Sequence, residues 1–294
     1  MTAIVYYLLL YPLSLLPMRV LQGLSTGVFY LLYHVIGYRK KVVFGNLTRS
    51  FPEKTAAEIE QIARQFYRHL CDLIVESVKM FSIPKREMAD RIDIANPDFL
   101  AETIAHGRHI ILFAGHYNSW EMVGCGFPYF TDTPVAALYS PIKNKFLERV
   151  MTRSRSRHGL EMIPKSEAKT MFATRPEPTI FLFGGDQSPS SRRKTFWMEF
   201  LNQETAVAFG TERFAKEHNC VVIYGHIRKQ ARGRYDIVLH PITSDAAAEP
   251  YGAITTKHTR LLEQHIRAAP QYWLWTHRRW KRNRQEEEGR SSLG

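Results

Sequence analysis

Only three of the 294 residues are cysteine (Cys71, Cys125, Cys220), an odd number set far apart. This excludes a disulfide framework and points to a reducing compartment. Metal-binding spacings of the CxxC or HExxH kind are missing. Neither a repeat nor a low-complexity stretch interrupts the chain, and no reader motif for nucleic acid is present. Acidic residues are absent from the first 38 positions, where Arg19 is the only formal charge. No uninterrupted apolar run there reaches the roughly 20 residues of a membrane span, because Pro12 and Pro17 break the block 3–18.

What is present is positive charge and enough apolar residues for a large core. The net charge is +12 and hydrophobic residues make up 45% of the chain. The excess of cations suits an anionic partner: nucleic acid, a phospholipid surface or a phosphorylated substrate. The apolar blocks 3–18 and 20–38 run straight into Arg39-Lys40-Lys41. That order does not fit a signal peptide, whose basic residues come first. It suggests one span or deep anchor over 3–18 and an apolar helix over 20–38, with the body held on the cytoplasmic side. The alternative is a buried helical hairpin of a soluble protein.

Beyond the N-terminus, Ile59, Ile62, Phe66, Leu70, Ile74 and Val78 recur at helical steps and predict an amphipathic helix over 55–82. Short β-rich runs then alternate with helical ones. Strands are expected at 109–114, 134–139, 179–183, 220–228 and 234–239, and helices at 97–106, 119–127, 143–157, 204–218 and 253–268. The alternation predicts an α/β fold, a mostly parallel or mixed sheet flanked by helices. The expected division is 1–38 as anchor, 39–284 as a single α/β domain and 285–294 as a flexible tail.

The chemistry concentrates where predicted strands end. Ile110–Ala114 leads into Gly115-His116-Tyr117-Asn118-Ser119-Trp120-Glu121. Histidine in such a loop, with a carboxylate to hold its ring, is what a hydroxyl-activating general base requires. On one continuous helix His116 and Glu121 would sit roughly 140° apart and not meet. With His116 in the loop and Glu121 in the first helical turn, they can. Equally, Glu121 at the third helical position could cap the helix from Asn118. Phe146 and Val150 define a stripe that continues onto Arg153 and Arg157, with Arg149 beside it, an arrangement suited to a ligand anion or to buried ion pairs. A second strand ends in Gly184-Gly185-Asp186-Gln187, a strand-end position that can converge with His116; Asp186 there either pairs Arg153 or orients a substrate, or is an ordinary turn residue. Tyr272, Trp273, Trp275 and Trp280, interleaved with basic residues, suit a lipid headgroup interface or stacking on a single strand. Cys125 reads as a core residue more readily than as a nucleophile.

Taken in order, these blocks resemble the late acyltransferases of lipid A assembly, the lauroyl/myristoyl type within the glycerolipid acyltransferase superfamily. The likeness includes Asn46-Leu47 before Phe51-Pro52, the His116–Glu121 block, Tyr139-Ser140-Pro141 with Lys143-Asn144, the arginine helix, Gly185-Asp186-Gln187 and Trp275-Thr276-His277-Arg278-Arg279-Trp280. The resemblance implies transfer of a fatty acyl group from acyl carrier protein, or from acyl-CoA, to the hydroxyl of a 3-hydroxyacyl chain on a phosphorylated glycolipid. It implies His116 as general base, Glu121 as its orienting partner, and substrate contacts from Lys143, Asn144, Arg149, Arg153, Arg157, Asp186 and Gln187. Location at the cytoplasmic face of the inner membrane follows from it, with no nucleic acid and no cofactor. The core motif alone also tolerates a lysophospholipid, phosphoinositol mannoside or aminolipid acceptor. A non-enzymatic basic membrane-binding protein is the alternative of a different class.

Overall fold

The computed structural model describes residues 2–172, 174–189 and 195–284; the expected tail 285–294 lies outside the described residues. Two helices open the chain, α1 (Thr2–Leu15) and α2 (Met18–Ile36), broken at Pro17. α3 (Lys40–Ser50) turns off α2 at 91°. Among the described residues no single helix is long and apolar enough to cross a membrane. The expected span over 3–18 is thus a helix of about 21 Å at 1.5 Å per residue, against roughly 30 Å of hydrocarbon. α2 is two-sided. Leu21, Phe29 and Tyr33 are buried, and Ser25 donates to Asp72 at 2.6 Å, while Leu24, Leu31, Val35 and Ile36 face outward.

α4 (Ala56–Lys79) begins at a true capping box, in which the Thr55 side chain accepts from the Glu58 N–H and the Glu58 carboxylate accepts from the Thr55 N–H. The short α5 (Lys85–Ala89) and β1 (Ile92–Ile94) lead to α6 (Pro97–Ala105), β2 (Ile110–Ala114), α7 (Trp120–Gly126), β3 (Val135–Tyr139), α8 (Lys145–Ser156) and β4 (Glu161–Pro164). Next come β5 (Ile180–Gly184), β6 (Thr195–Phe200), β7 (Gln203–Ala208), α9 (Gly210–Glu217), β8 (Val221–Ala231), β9 (Arg234–Thr243) and α10 (Ala253–Ala268). Among the described residues seven strands form one sheet in the order β1-β9-β8-β2-β5-β3-β4, parallel except where β9 runs antiparallel to β8. The fold is therefore α/β with a mostly parallel sheet, as the alternation predicts.

Strand pleating sorts the core onto the two faces. Ile111, Phe113, Phe181, Val222 and Tyr224 point into the cluster built with α4 and α10. Ile110, Leu112, Ile180, Val221 and Ile223 point to the other, with Met122 and Val123 of α7.

Residues 204–208 depart from the expected helix. They form strand β7, antiparallel to β6 across the two-residue turn Leu201-Asn202. Both turn residues have positive φ, 52° and 59°, the backbone that closes a tight hairpin with the right twist. The pairing outweighs the helical preference of a short Ala-containing stretch; the helix starts only at Gly210.

Candidate active site

Strand register brings the two loops together. β2 and β5 are adjacent and parallel with Ala114 opposite Gly184, so the residues two places on, His116 and Asp186, emerge side by side. The Asp186 carboxylate accepts from the His116 backbone N–H at 2.8 Å through one oxygen and meets His116 Nδ1 at 2.6 Å through the other. Trp273 Nε1 donates to the first oxygen at 2.8 Å. Burial alone would raise the Asp186 pKa, but the imidazole charge and these donors hold it well below the usual carboxylate range. Asp186 is therefore a fixed anion.

His116 feels the reciprocal effect. Burial disfavours its charged form, yet the Asp186 carboxylate prevails and its pKa is raised above 6.5. With Nδ1 donating to Asp186, Nε2 carries the lone pair, and the Gln187 side-chain amide lies on it at 3.0 Å. The His116 side chain is 22% exposed and Asp186 only 3%. The acid is thus sealed while the reactive edge of the ring stays open. Trp120 flanks the ring at 5.1 Å between centroids.

Glu121 is not the group that holds the ring. Its carboxylate pairs with Arg155 Nε at 3.1 Å, although its charge still favours the imidazolium as the weakest of the contributions. The expected cap from Asn118 is not formed either. Asn118 has φ of 53° and its amide donates to the Ile227 carbonyl at 2.7 Å, while Ser119 occupies the N-cap with its hydroxyl turned to Glu76 at 2.7 Å instead of the helix backbone.

The expected inward arginine seam on α8 is also corrected. Arg149, Arg153 and Arg157 are exposed, and the buried line runs through Ser154, whose hydroxyl donates to the Met80 carbonyl at 2.9 Å, to His158. The stripe from Phe146 and Val150 continues by steps of four, which turns Arg153 and Arg157 outward. Arg155, missed by pattern, is the one that turns toward the site. Lys143 is exposed, and Asn144 is the N-cap of α8, accepting from the Phe146 and Leu147 N–H groups at 3.1 and 3.0 Å. Its amide also donates to Thr2 of α1 at 3.0 Å. Cys125 is buried, which pushes its thiol pKa up and removes it as a nucleophile.

The aromatic–basic segment after residue 270 is not a surface belt. It is a strap across the back of the His116 loop, in which Asn118 N–H donates to the Tyr272 carbonyl at 2.9 Å and Leu274 N–H to the His116 carbonyl at 3.1 Å. Trp273 and Trp275 are buried, and so is Arg279, whose pKa burial lowers to about 10. Asn46 of α3 clamps the strap, donating to the Trp275 and His277 carbonyls at 3.0 Å each.

Gly184 makes room for the ring: a Cβ there would lie 3.1 Å from His116 Cε1. Gly184→Ala is expected to displace the imidazole and lower kcat by about tenfold or more for a shift well under 1 Å. Its melting temperature should stay near wild type, which a thermal scan beside a turnover assay checks.

A buried carboxylate thus holds one nitrogen of a histidine whose other nitrogen lies on the open side of the site. Residues 1–282 match the family of bacterial lipid A biosynthesis acyltransferases, and the chain belongs to that family. It is thus an acyltransferase of lipid A biosynthesis. It is 24% identical over 267 residues to the lipid A biosynthesis palmitoleoyltransferase of Escherichia coli K12, covering 90% of this chain and 86% of that one. Identity to the lauroyltransferase of the same organism is 22% over 267 residues, 90% and 87% of the two chains. A lipid A biosynthesis acyltransferase of Haemophilus influenzae is 22% identical over 282 residues, 92% of this chain and 84% of that one.

Proposed function

We propose that the protein moves a fatty acyl group from an acyl carrier protein thioester to the hydroxyl of a 3-hydroxyacyl chain on a phosphorylated lipid A precursor. The observation that carries the mechanism is the Asp186–His116 pair with Nε2 open. A secondary alcohol is a poor nucleophile near neutral pH, and Nε2 takes its proton as the oxygen attacks the thioester carbonyl. Collapse of the tetrahedral intermediate breaks the C–S bond, and the imidazolium returns the proton to the leaving thiolate. The acceptor hydroxyl would take the place of the Gln187 amide on Nε2, leaving that amide free to donate to the oxyanion. Glu121 acts through space on the imidazolium and fixes Arg155 beside the site. The exposed Arg149, Arg153 and Arg157 form a cationic rim for the acceptor's phosphates. Lys143 adds to that charge, while Asn144 serves as the cap that joins α8 to α1.

Within this reading residues 39–284 are the catalytic unit, and 1–38 dock it on the cytoplasmic face of the inner membrane. Support comes from the outward apolar side chains of α1 and α2; Leu8 and Val35 are each 76% exposed. Phe146 of α8 packs against Tyr6 and Tyr7 of α1 at 5.7 and 5.8 Å between centroids, so the cationic rim borders this apolar surface. Leu8→Glu combined with Val35→Glu is expected to shift the protein from the vesicle pellet to the supernatant in sedimentation with anionic lipid vesicles. Cosedimentation equal to wild type would remove the docking claim.

The test of function is mass spectrometry of the lipid fraction from cells carrying wild type or His116→Ala. Wild type should add one acyl unit to a phosphorylated glycolipid and His116→Ala should not. Equal acylation by both would overturn the mechanism.

A further inference from the structure

Three histidines that the acyl-transfer site does not use converge from three elements: His226 on β8, His240 on β9 and His265 on α10. One ring nitrogen from each lies within 4.8 Å of the others. His226 and His265 stack face to face, 3.4 Å between centroids and 8° between planes. His240 lies 5.8 Å from His265 at 37°. We propose that these three imidazoles form a binding site for one divalent transition-metal ion of the zinc type, with a fourth position open to solvent.

The ligand chemistry fits that class. Three imidazoles with an open position suit zinc, while calcium and magnesium select oxygen donors. Asp236 on β9 is engaged by Arg228 of β8 at 2.9 Å and by Gln230 at 2.7 Å, so its carboxylate is already paired. His240 Nε2 is buried without a hydrogen-bond partner, an uncompensated lone pair or N–H that a protein core rarely leaves. All three residues are only half-buried, so an ion has a path in. Tyr224 OH lies 3.2 Å from His265 Nδ1, the kind of outer contact that fixes a ligand's tautomer. Parallel rings aim their lone pairs side by side, so loading requires one of the stacked rings to turn about its χ2.

The position gives an ion something to act on. Tyr117, next to His116, donates its hydroxyl to the His265 carbonyl at 3.3 Å and to the Ala269 carbonyl at 3.2 Å. A metal that ties β8 and β9 to α10 would stiffen the support of the catalytic loop. Simple packing of three neutral rings predicts no response to metal at all.

The test uses full-length protein without an affinity tag, stripped of metal by chelator dialysis and titrated with Zn²⁺ by calorimetry. Wild type should bind one ion per chain, and Zn²⁺ should raise its melting temperature. His240→Asn and His226→Asn, each first shown to be folded by circular dichroism, should bind at least tenfold more weakly and lose the thermal shift. Co²⁺ in place of Zn²⁺ adds a direct readout, since a low-coordinate imidazole site gives visible d–d absorption that the variants should lack. An absence of binding by wild type at equimolar Zn²⁺, or binding that survives both substitutions together, would overturn the proposal.

Discussion

Asp186→Asn is expected to lower kcat by about 10³–10⁴-fold, as removal of a histidine-orienting aspartate does in other hydroxyl-activating sites. The amide can present its NH₂ to Nδ1 and select the tautomer with the proton on Nε2, which cannot accept one from the alcohol. The pH dependence separates this from a general disturbance. A neutral base requires turnover to rise with pH through the His116 pKa, which in wild type lies above 6.5 because the Asp186 anion favours the imidazolium. Without that anion burial dominates, so the acidic limb of kcat/KM should move to lower pH while the plateau falls. Glu121→Gln provides the contrast. Glu121 is the weakest influence on the ring and is occupied by Arg155, so its loss should leave the limb within a few tenths of a pH unit on the scale set by one such pair. A large shift of the limb in Glu121→Gln with none in Asp186→Asn would reverse the roles given to the two acids.

The same pair sets the pH range of its own stabilising effect. His116 has a raised folded pKa, so its contribution is complete below 6.5 and is lost as pH climbs through the folded value. Asp186 has a depressed one, so its contribution is present above 3.8 and is lost as pH falls through the folded value. The two overlap between about 3.8 and 6.5, below the range in which the ring is neutral. Near neutral pH the protonated pair gives up part of its attraction as the neutral imidazole appears. This follows from using one carboxylate both to orient the ring and to hold its charge.

Much of this site is legible in the sequence, and where sequence and structure differ the cause is physical. β2 and β5 were legible because each is an apolar run ending in Gly, and the rule that sites form beyond strand ends brought His116 and Asp186 together. Which acid holds the ring was not legible. Glu121 is close in sequence, whereas Asp186 becomes a neighbour only through the β2–β5 register, which no local pattern encodes. The arginine seam failed on a choice between steps of three and four, a rotation of about 100° on a helix. Ser154, too small and polar to be recognised as a buried position, decided it. The edge strands β1 and β4, three and four residues long, carry too few alternations for period-2 patterning to register. Residues 272–280 carry a composition that fits two surroundings, since indoles beside guanidinium groups look the same in sequence at a lipid interface and in a buried strap.

That strap carries the second large effect. Trp275 is fully buried, donates from Nε1 to the Pro270 carbonyl at 2.6 Å, and meets Phe51 and Trp273 edge to face at 5.9 and 4.7 Å between centroids. Trp275→Ala is expected to cost about 3–5 kcal/mol, the range for emptying a tryptophan-sized space. The neighbouring backbone is pinned on both sides, by Asn46 at the Trp275 carbonyl and by the His116 carbonyl at Leu274 N–H, so collapse into the cavity is restricted. Chemical denaturation should show a lower midpoint with little change in slope. Trp273→Phe, two residues earlier, should behave differently. It keeps most of the volume and removes the N–H that reaches Asp186, at a cost of about 1–3 kcal/mol for a buried acceptor left short of a donor. Its signature is chemical: Asp186 becomes a weaker anchor for the imidazolium only if that indole helps keep the carboxylate ionised. If Trp273→Phe leaves turnover and the acidic limb untouched while Trp275→Ala unfolds the chain, the strap is a structural clamp alone. If Trp273→Phe moves the limb, the strap is also part of the machinery that sets the base.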